Sequence, residues 1–156
     1  MNIRLESMTK EQCRNFFQGF THDMAVFAPD QPFYEYQYTQ EKADAYWEKN
    51  QAPNRIHLAI LHCGEPVGEV IFKKIDPERR CCTLSIHMKN DSVKNRGDGT
   101  EAERQALIYA RQILEMETVY ADTLINNKRS QHVLQKNGFQ LIKQDASFCY
   151  FKRTLK

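Results

Sequence analysis

The sequence has no apolar run long enough to cross a bilayer, and its first residues, MNIRLESMTK, lack the hydrophobic stretch of a secretory leader. Neither membrane insertion nor export is expected, and the expected compartment is the cytoplasm. No C-x-x-C pair occurs. The five cysteines, Cys13, Cys63, Cys81, Cys82 and Cys149, are odd in number, which argues against a disulfide framework, and their spacing offers no zinc site. Adjacent Cys81 and Cys82 fall on an expected strand, where neighbours point to opposite faces, so they are poor partners for one metal. Reduced thiols and no metal are the expectation. Repeats, low-complexity tracts and linkers are missing too, so residues 1–156 are expected to form a single domain. Neither sign of charge is in excess: 22 Lys and Arg stand against 20 Asp and Glu, a formal net charge of +2. That balance argues against a chain whose main task is coating nucleic acid.

What remains is globular usage, 41% hydrophobic and 27% charged, which argues against wholesale disorder. Alternation of Ile3 and Leu5 predicts a strand at Asn2–Glu6, and Thr9 is placed to cap a helix through Phe17. Thr21–Tyr38, with Pro29, Pro32 and the aromatics Phe33, Tyr34, Tyr36 and Tyr38, shows no period and reads as an irregular segment of the kind that lines binding sites. A helix over Gln40–Lys49 follows, with Ala43, Tyr46 and Trp47 on one side. His57–His62 and Val67–Lys74 read as a hairpin joined by Cys63-Gly64-Glu65-Pro66. Asp76-Pro77 then turns into a strand at Cys81–Met88. After a polar loop at Asn90–Gly99, Thr100–Leu114 is the clearest helix, with Ala102, Ala106, Tyr109, Ala110 and Ile113 on one stripe. A strand at Thr118–Thr123, a helix at Lys128–Lys136 and strands at Phe139–Lys143 and Ser147–Arg153 complete the chain. Strands first, then helix–strand–helix–strand–strand, predicts an α/β fold of the mixed α+β kind: a mostly antiparallel sheet of six to seven strands flanked by about four helices.

Two segments carry chemistry. The first is Val93-Lys94-Asn95-Arg96-Gly97-Asp98-Gly99-Thr100-Glu101-Ala102, where a strand gives way to a two-glycine loop and a helix. Thr100 and Glu103 have capping-box spacing. A helix start presents unpaired N–H groups and a positive dipole end, which suits a phosphate. Gly97 and Gly99 let the backbone approach an anion, and Lys94 and Arg96 add positive charge. The Gly-Lys-Ser/Thr ending of a Walker loop is absent, as is the third glycine of a dinucleotide fingerprint. A polar connection that happens to hold two glycines is the competing reading. The second segment, Asn126 to Phe139, has Asn127 to cap a short helix and Gly138 to end it in the left-handed conformation. A capped helix between two strands accounts for Asn127, Gly138 and Phe139 but not for Ser130.

Together these segments resemble the GNAT superfamily of N-acetyltransferases. Lys94-Asn95-Arg96-Gly97-Asp98-Gly99 is similar to its Gln/Arg-x-x-Gly-x-Gly/Ala loop, with Lys94 at the usual Gln or Arg. Gly99-Thr100-Glu101-Ala102 and Asn127-x-x-Ser130-x-x-Val133-Leu134-x-Lys136-x-Gly138-Phe139 resemble most the branch that acetylates ribosomal-protein N-termini. The resemblance implies acetyl-CoA as acyl donor. It implies that the loop N–H groups of Arg96, Gly97, Asp98, Gly99 and Thr100 hold the pyrophosphate, with Lys94 and Asn95 also counted as cofactor-binding. It further implies that Ile86, His87 and Met88 splay from Thr118–Thr123 to pair with the pantetheine arm, and that Asn127 and Ser130 lie near the pantetheine and thioester sulfur.

The implied chemistry is attack of a neutral amine on the thioester, which needs a base or water chain, oxyanion donors and a proton for the departing thiolate. Many members carry a tyrosine acid where this chain has Leu134, so Ser130 becomes the candidate acid, with a plain cofactor contact as its alternative. Glu69 and His87 are the candidate bases. Glu69 reads first as a solvated strand carboxylate, and a lone histidine such as His87 is usually structural. Tyr34 and Tyr36 are candidates for the acceptor wall.

The expected function is transfer of an acetyl group to a primary amine, whether protein N-terminus, amino acid, polyamine or aminoglycoside. A non-catalytic acyl-CoA-binding module is the alternative. A third reading, a nucleic-acid binder using Lys128, Arg129, Lys152, Arg153 and Lys156, is opposed by the small net charge. A homodimer is the default assembly, as the commonest oligomer.

Overall fold

The computed structural model describes residues 2–22, 27, 32–94 and 96–155. The elements are β1 (Ile3–Ser7), α1 (Lys10–Gln18), α2 (Gln40–Lys49), β2 (Ile56–His62), β3 (Glu65–Asp76), β4 (Cys81–Met88), α3 (Asp98–Gln112), β5 (Thr118–Leu124), α4 (Lys128–Lys136), β6 (Gln140–Gln144) and β7 (Phe148–Thr154). The strands form one sheet in the order β1-β2-β3-β4-β5-β7-β6. Every neighbouring pair is antiparallel except β4 and β5, which α3 joins as a crossover. The mixed fold expected from the element order is the observed one. The irregular segment expected at Thr21–Tyr38 lies partly outside the described residues.

The helices cover both faces of the sheet. Alternate β2 side chains divide between two cores: Leu58 and Ile60 pack with Ala102, Ala106 and Ala110 of α3 and Leu134 of α4, while Ala59 and Leu61 pack with Cys13, Phe16 and Phe17 of α1 and Ala43 of α2. Capping fixes where these helices begin. Thr9 and Gln12 form a reciprocal capping box on α1, Thr39 accepts from Lys42 N–H on α2, and Asn127 accepts from Ser130 N–H on α4. Arg14 ties α1 to α2 by a bidentate pair with Asp44 at 2.7 and 2.8 Å. Among the described residues no helix is long and apolar enough to cross a membrane.

Three local expectations need correction. The β2–β3 connection is only Cys63-Gly64, at φ 51° and 86°, and β3 already includes Pro66. A two-residue turn with both φ values positive matches the strand twist, and Pro66 is tolerated beside a bulge. Leu61 pairs with Pro66 but Ile60 pairs with Gly68, leaving Val67 as the extra residue. Second, α3 starts at Asp98, with Gly97 at φ 83° as its N-cap and no side-chain cap bond. Thr100 and Glu103 are therefore inside the helix and form no capping box. Third, Ile113 lies past the end of α3 and is 63% exposed, whereas Leu107 occupies the core.

Candidate active site

The parallel β4–β5 ladder is short. It pairs Cys81, Cys82 and Thr83 with Thr118, Val119 and Tyr120 and then stops, while β4 stays paired with β3 out to Met88. From Leu84 onward, β4 and β5 part. Ile86, His87 and Met88, the cofactor-strand residues expected from the sequence, sit on this free edge and line a cavity of about 790 Å³. The cavity opens to both layers of helices. From one side come Phe17, Phe20, His22, Tyr36, Lys42, Tyr46 and Glu69, and from the other come residues of the α3 start and of α4.

At the α3 end, Gly97, Gly99 and Thr100 line the cavity beside Val93 and Lys94. The left-handed conformation of Gly97 turns the chain into the helix, and a side chain there would be strained. A Cβ on Gly99 would meet nothing closer than Met88 Sδ at 3.9 Å, so there is room in front of the first turn. This space, before the backbone N–H groups at the positive end of a 15-residue helix, suits an anion. Asp98 does not face it: its carboxylate is 2% exposed, hydrogen-bonded to Arg96 Nη2 at 2.7 Å, with His62 Nδ1 3.2 Å away. Arg96 thus pairs with the buried carboxylate of this turn, while Glu101, the other acidic residue there, pairs with Arg104. Lys94 lies 3.2 Å from Asp91. Asn95, expected in the same loop, falls outside the described residues.

From α4, Asn127, Ser130 and Val133 line the cavity. Leu134, at the position of the missing tyrosine, is buried in the core and contributes no hydroxyl. Glu103 reaches the cavity from the second turn of α3. It is 5% exposed, its carboxylate receives a long 3.4 Å bond from Asn137, and burial pushes its carboxyl up to about 8, with the Asn137 bond acting in opposition.

The most connected group is Glu69. The sequence reading of a solvated carboxylate is overturned, since it is 2% exposed. His57 Nε2 lies 2.8 Å from its Oε1, while Tyr46 Oη donates to Oε2 at 2.7 Å and His87 Nδ1 lies 2.9 Å from that same oxygen. Burial alone would raise this carboxyl, but the bonds from His57 and then His87 outweigh it and hold the group down to about 2. Glu69 is therefore a fixed anion and a weak base. An ionised carboxylate accepts only, so His57 must offer Nε2–H and His87 must offer Nδ1–H. The remaining His57 Nδ1 is buried and has no partner among the described residues. His87, whose side chain is 47% exposed, keeps Nε2 for the cavity. The two candidate bases are thus brought together with unequal roles.

Beyond this network the α1–α2 side of the cavity is aromatic. Phe17 stacks on Tyr36 (5.4 Å) and meets Tyr46 edge-on (4.9 Å), and Phe20 packs against His22 (5.1 Å) and Tyr36 (5.3 Å). Tyr36 lines the cavity as expected, but Tyr34 is 61% exposed and does not. Sequence reasoning missed Phe17, Phe20, His22, Tyr46, His57 and Glu103 as site residues. For Tyr46 the signal was its place on the inward side of α2, and for His57 its place on a strand adjacent to that of Glu69. Among the described residues no group of three or more His, Cys, Asp or Glu is arranged to hold a metal.

Comparison with known proteins gives a consistent result. A family model described as "Acetyltransferase (GNAT) domain" matches residues 2–140. Among solved structures, spermidine N-acetyltransferase from Vibrio cholerae, in complex with CoA and spermine, superimposes with a TM-score of 0.79 over 98% of this chain and 95% of that one, at 13% identity. N-acetyltransferase PseH from Campylobacter jejuni superimposes with a TM-score of 0.73 over 100% of both chains, at 16% identity. A complex of PseH with acetyl coenzyme A covers 74% of this chain and 79% of that chain at 19% identity, with a TM-score of 0.66. At such identities the likeness speaks for the fold. No curated protein sequence matches.

Proposed function

Because the chain belongs to the GNAT acetyltransferase family, we propose that it transfers the acetyl group of acetyl-CoA to a primary amine, with His87 as the base that takes the amine's proton. The observation that carries this reading is the meeting, in one cavity, of the anion cradle at Gly97–Thr100 and the half-exposed His87 held on Glu69. The diphosphate of the cofactor fits the N–H groups at Gly97, Gly99 and Thr100, and the unpaired edge of β4 at Ile86–Met88 suits the amides of its pantetheine arm. Lys94, Asn95 and Asn127 are assigned to the same binding role on the strength of the motif.

Acetyl-CoA supplies an activated acyl group as a thioester. The side chains of the protein do the rest. His87 Nε2 removes the proton that an ammonium carries, leaving the lone pair free to attack the carbonyl carbon. The Ser130 hydroxyl, on the first turn of α4, supplies a proton to the departing sulfur and is reprotonated by the further proton that the nitrogen sheds as the amide forms. Phe17, Phe20, Tyr36 and Tyr46 exclude water from the acceptor side.

The motif from Asn127 to Phe139 supports placement in the ribosomal-protein N-terminal acetyltransferase branch, working in the cytoplasm as a single domain and a homodimer. The amines named for the Vibrio relative, spermidine and spermine, are the rival acceptors. Release of free thiol from acetyl-CoA, measured with peptides bearing free N-termini, amino acids, polyamines and aminoglycosides, tests the reading. Amine-dependent release is expected. Tight binding of acetyl-CoA with no release on any amine would point instead to a non-catalytic acyl-CoA module.

A further inference from the structure

Glu69 accepts from three side chains on three different elements: His57 on β2, Tyr46 on α2 and His87 on β4. The division of its two oxygens is unequal. His57 holds Oε1, and Tyr46 and His87 compete for Oε2. We propose that Tyr46 and His57 are positioning residues for the transfer reaction, His57 locking the carboxylate against rotation and Tyr46 drawing negative charge away from the oxygen that His87 uses, so that His87 holds one tautomer and presents a bare Nε2 to the acceptor amine.

The physical case rests on geometry. A carboxylate with one oxygen anchored can turn only by breaking that bond, and the break would strand a buried charge. His57 is suited to the anchor because its other nitrogen is buried and has no partner among the described residues, so a proton moved there would have nothing of theirs to bond. Its ring also meets Tyr46 edge-on at 5.7 Å, which ties the two donors to each other. Tyr46 stays a donor: burial, and then the Glu69 charge, push its phenol upward, far from ionisation. With two donors on Oε2, each bond is weaker than it would be alone, and the imidazolium of His87 gains less from the carboxylate. Tyr46 therefore shares the oxygen that would otherwise serve His87 alone.

The groups that bear on His87 come from each neighbouring element. Glu69 faces it from β3, Tyr46 from α2 and His57 from β2 through Glu69. His22, beyond α1, is pushed down by burial and then by the His87 charge. Cys13 of α1, raised to about 12 by burial and then by Glu69, remains a thiol. Lys42 also lines the cavity from α2.

The proposal rests on His87 being the base, but its test needs no acceptor. In the full chain with isotope-labelled histidine, nitrogen NMR reads the tautomer and the titration of each imidazole. The wild type should show His87 as Nδ1–H and His57 as Nε2–H. Tyr46→Phe keeps the ring and removes the competing donor, so the His87 midpoint should rise by about half a unit to one unit. His57→Phe should leave His87 a mixture of tautomers, and His57→Gln, which retains an N–H, should restore the single form. A wild-type His87 in the Nε2–H form, or a Tyr46→Phe titration that overlays the wild type, overturns the proposal. If His57→Phe does not fold, the wild-type tautomer and the Tyr46→Phe midpoint decide alone. Failure of acetyl transfer in the amine assay would leave these readings intact, so the two ideas fail separately.

Discussion

Gly68 packs tightly against the main chain of His87 across the β3–β4 ladder: a Cβ added at Gly68 would lie 2.9 Å from the His87 carbonyl oxygen and 2.9 Å from Ile60 Cδ1. One of those neighbours is backbone and cannot swing aside. Gly68→Ala is therefore expected to push the end of β4 outward and to cost about 1–3 kcal/mol, the usual range for an overpacked core. Urea unfolding should show a lowered midpoint with an unchanged slope, and a midpoint equal to the wild type would contradict the close contact.

His87→Ala removes the proposed base and leaves the anion cradle untouched. Amine-dependent thiol release should fall by about 10²- to 10⁴-fold, while the dissociation constant of CoA stays within error of the wild type. A variant that keeps more than half of the wild-type rate at neutral pH would move the base elsewhere.

Gly97→Ala tests the cradle. Its φ of 83° is a left-handed conformation that costs a side-chain-bearing residue about 1–2 kcal/mol, and the first turn of α3 should relax away from the cavity. Calorimetric titration with CoA should show affinity reduced about tenfold or more. Gly99→Ala, where a Cβ would meet Met88 Sδ only in ordinary contact at 3.9 Å, is expected to lose affinity only through a clash with the bound anion, so its thermal stability without CoA should match the wild type.

Glu103 predicts a stability profile. Its carboxyl sits near 8 in the folded chain, above the ordinary value of 4.5, so between those pH values the native state holds a proton that the unfolded chain has released. Stability contributed by the neutral group is present below the unfolded value and is lost as pH rises through the folded one. The melting temperature should decline from pH 5 to pH 8, and Glu103→Gln, which fixes the neutral form, should flatten that decline. Equal slopes in the two proteins would mean that the buried carboxyl is not the source.

Much of this architecture is legible locally. The bounds of α2, β4 and α4 follow from caps and turns a few residues away, and Asn127 and Gly138 act where the sequence puts them. The sequence reading puts a capping box at Thr100–Glu103 and only a cap at Thr9, yet the box forms at Thr9–Gln12. Thr100–Glu103 fails because Gly97, three positions earlier, starts the helix first. That outcome depends on a φ value that no short pattern encodes.

The hidden part is the face on which Glu69 lies. Counting back from the turn, where His62 pairs with Glu65 and Leu61 with Pro66, Glu69 would fall opposite Leu58, in the core beneath α3. The extra residue Val67 changes the count. Glu69 falls opposite Ala59 instead, on the face that His57 shares. A single bulged residue thus decides whether the carboxylate meets two histidines and a tyrosine or an apolar layer. Glu69 and His87 could be named as candidates from the sequence, but their partnership could not.

The early end of the β4–β5 ladder makes the sheet a wall with a window in it. On the proposed function, the cofactor enters from the α3–α4 layer and the amine from the α1–α2 layer, so neither has to pass the other. Each can arrive or leave while its counterpart stays seated, and the two meet only at the sill formed by His87. Initial-rate lines plotted against one reactant at several fixed levels of the other should intersect, never run parallel.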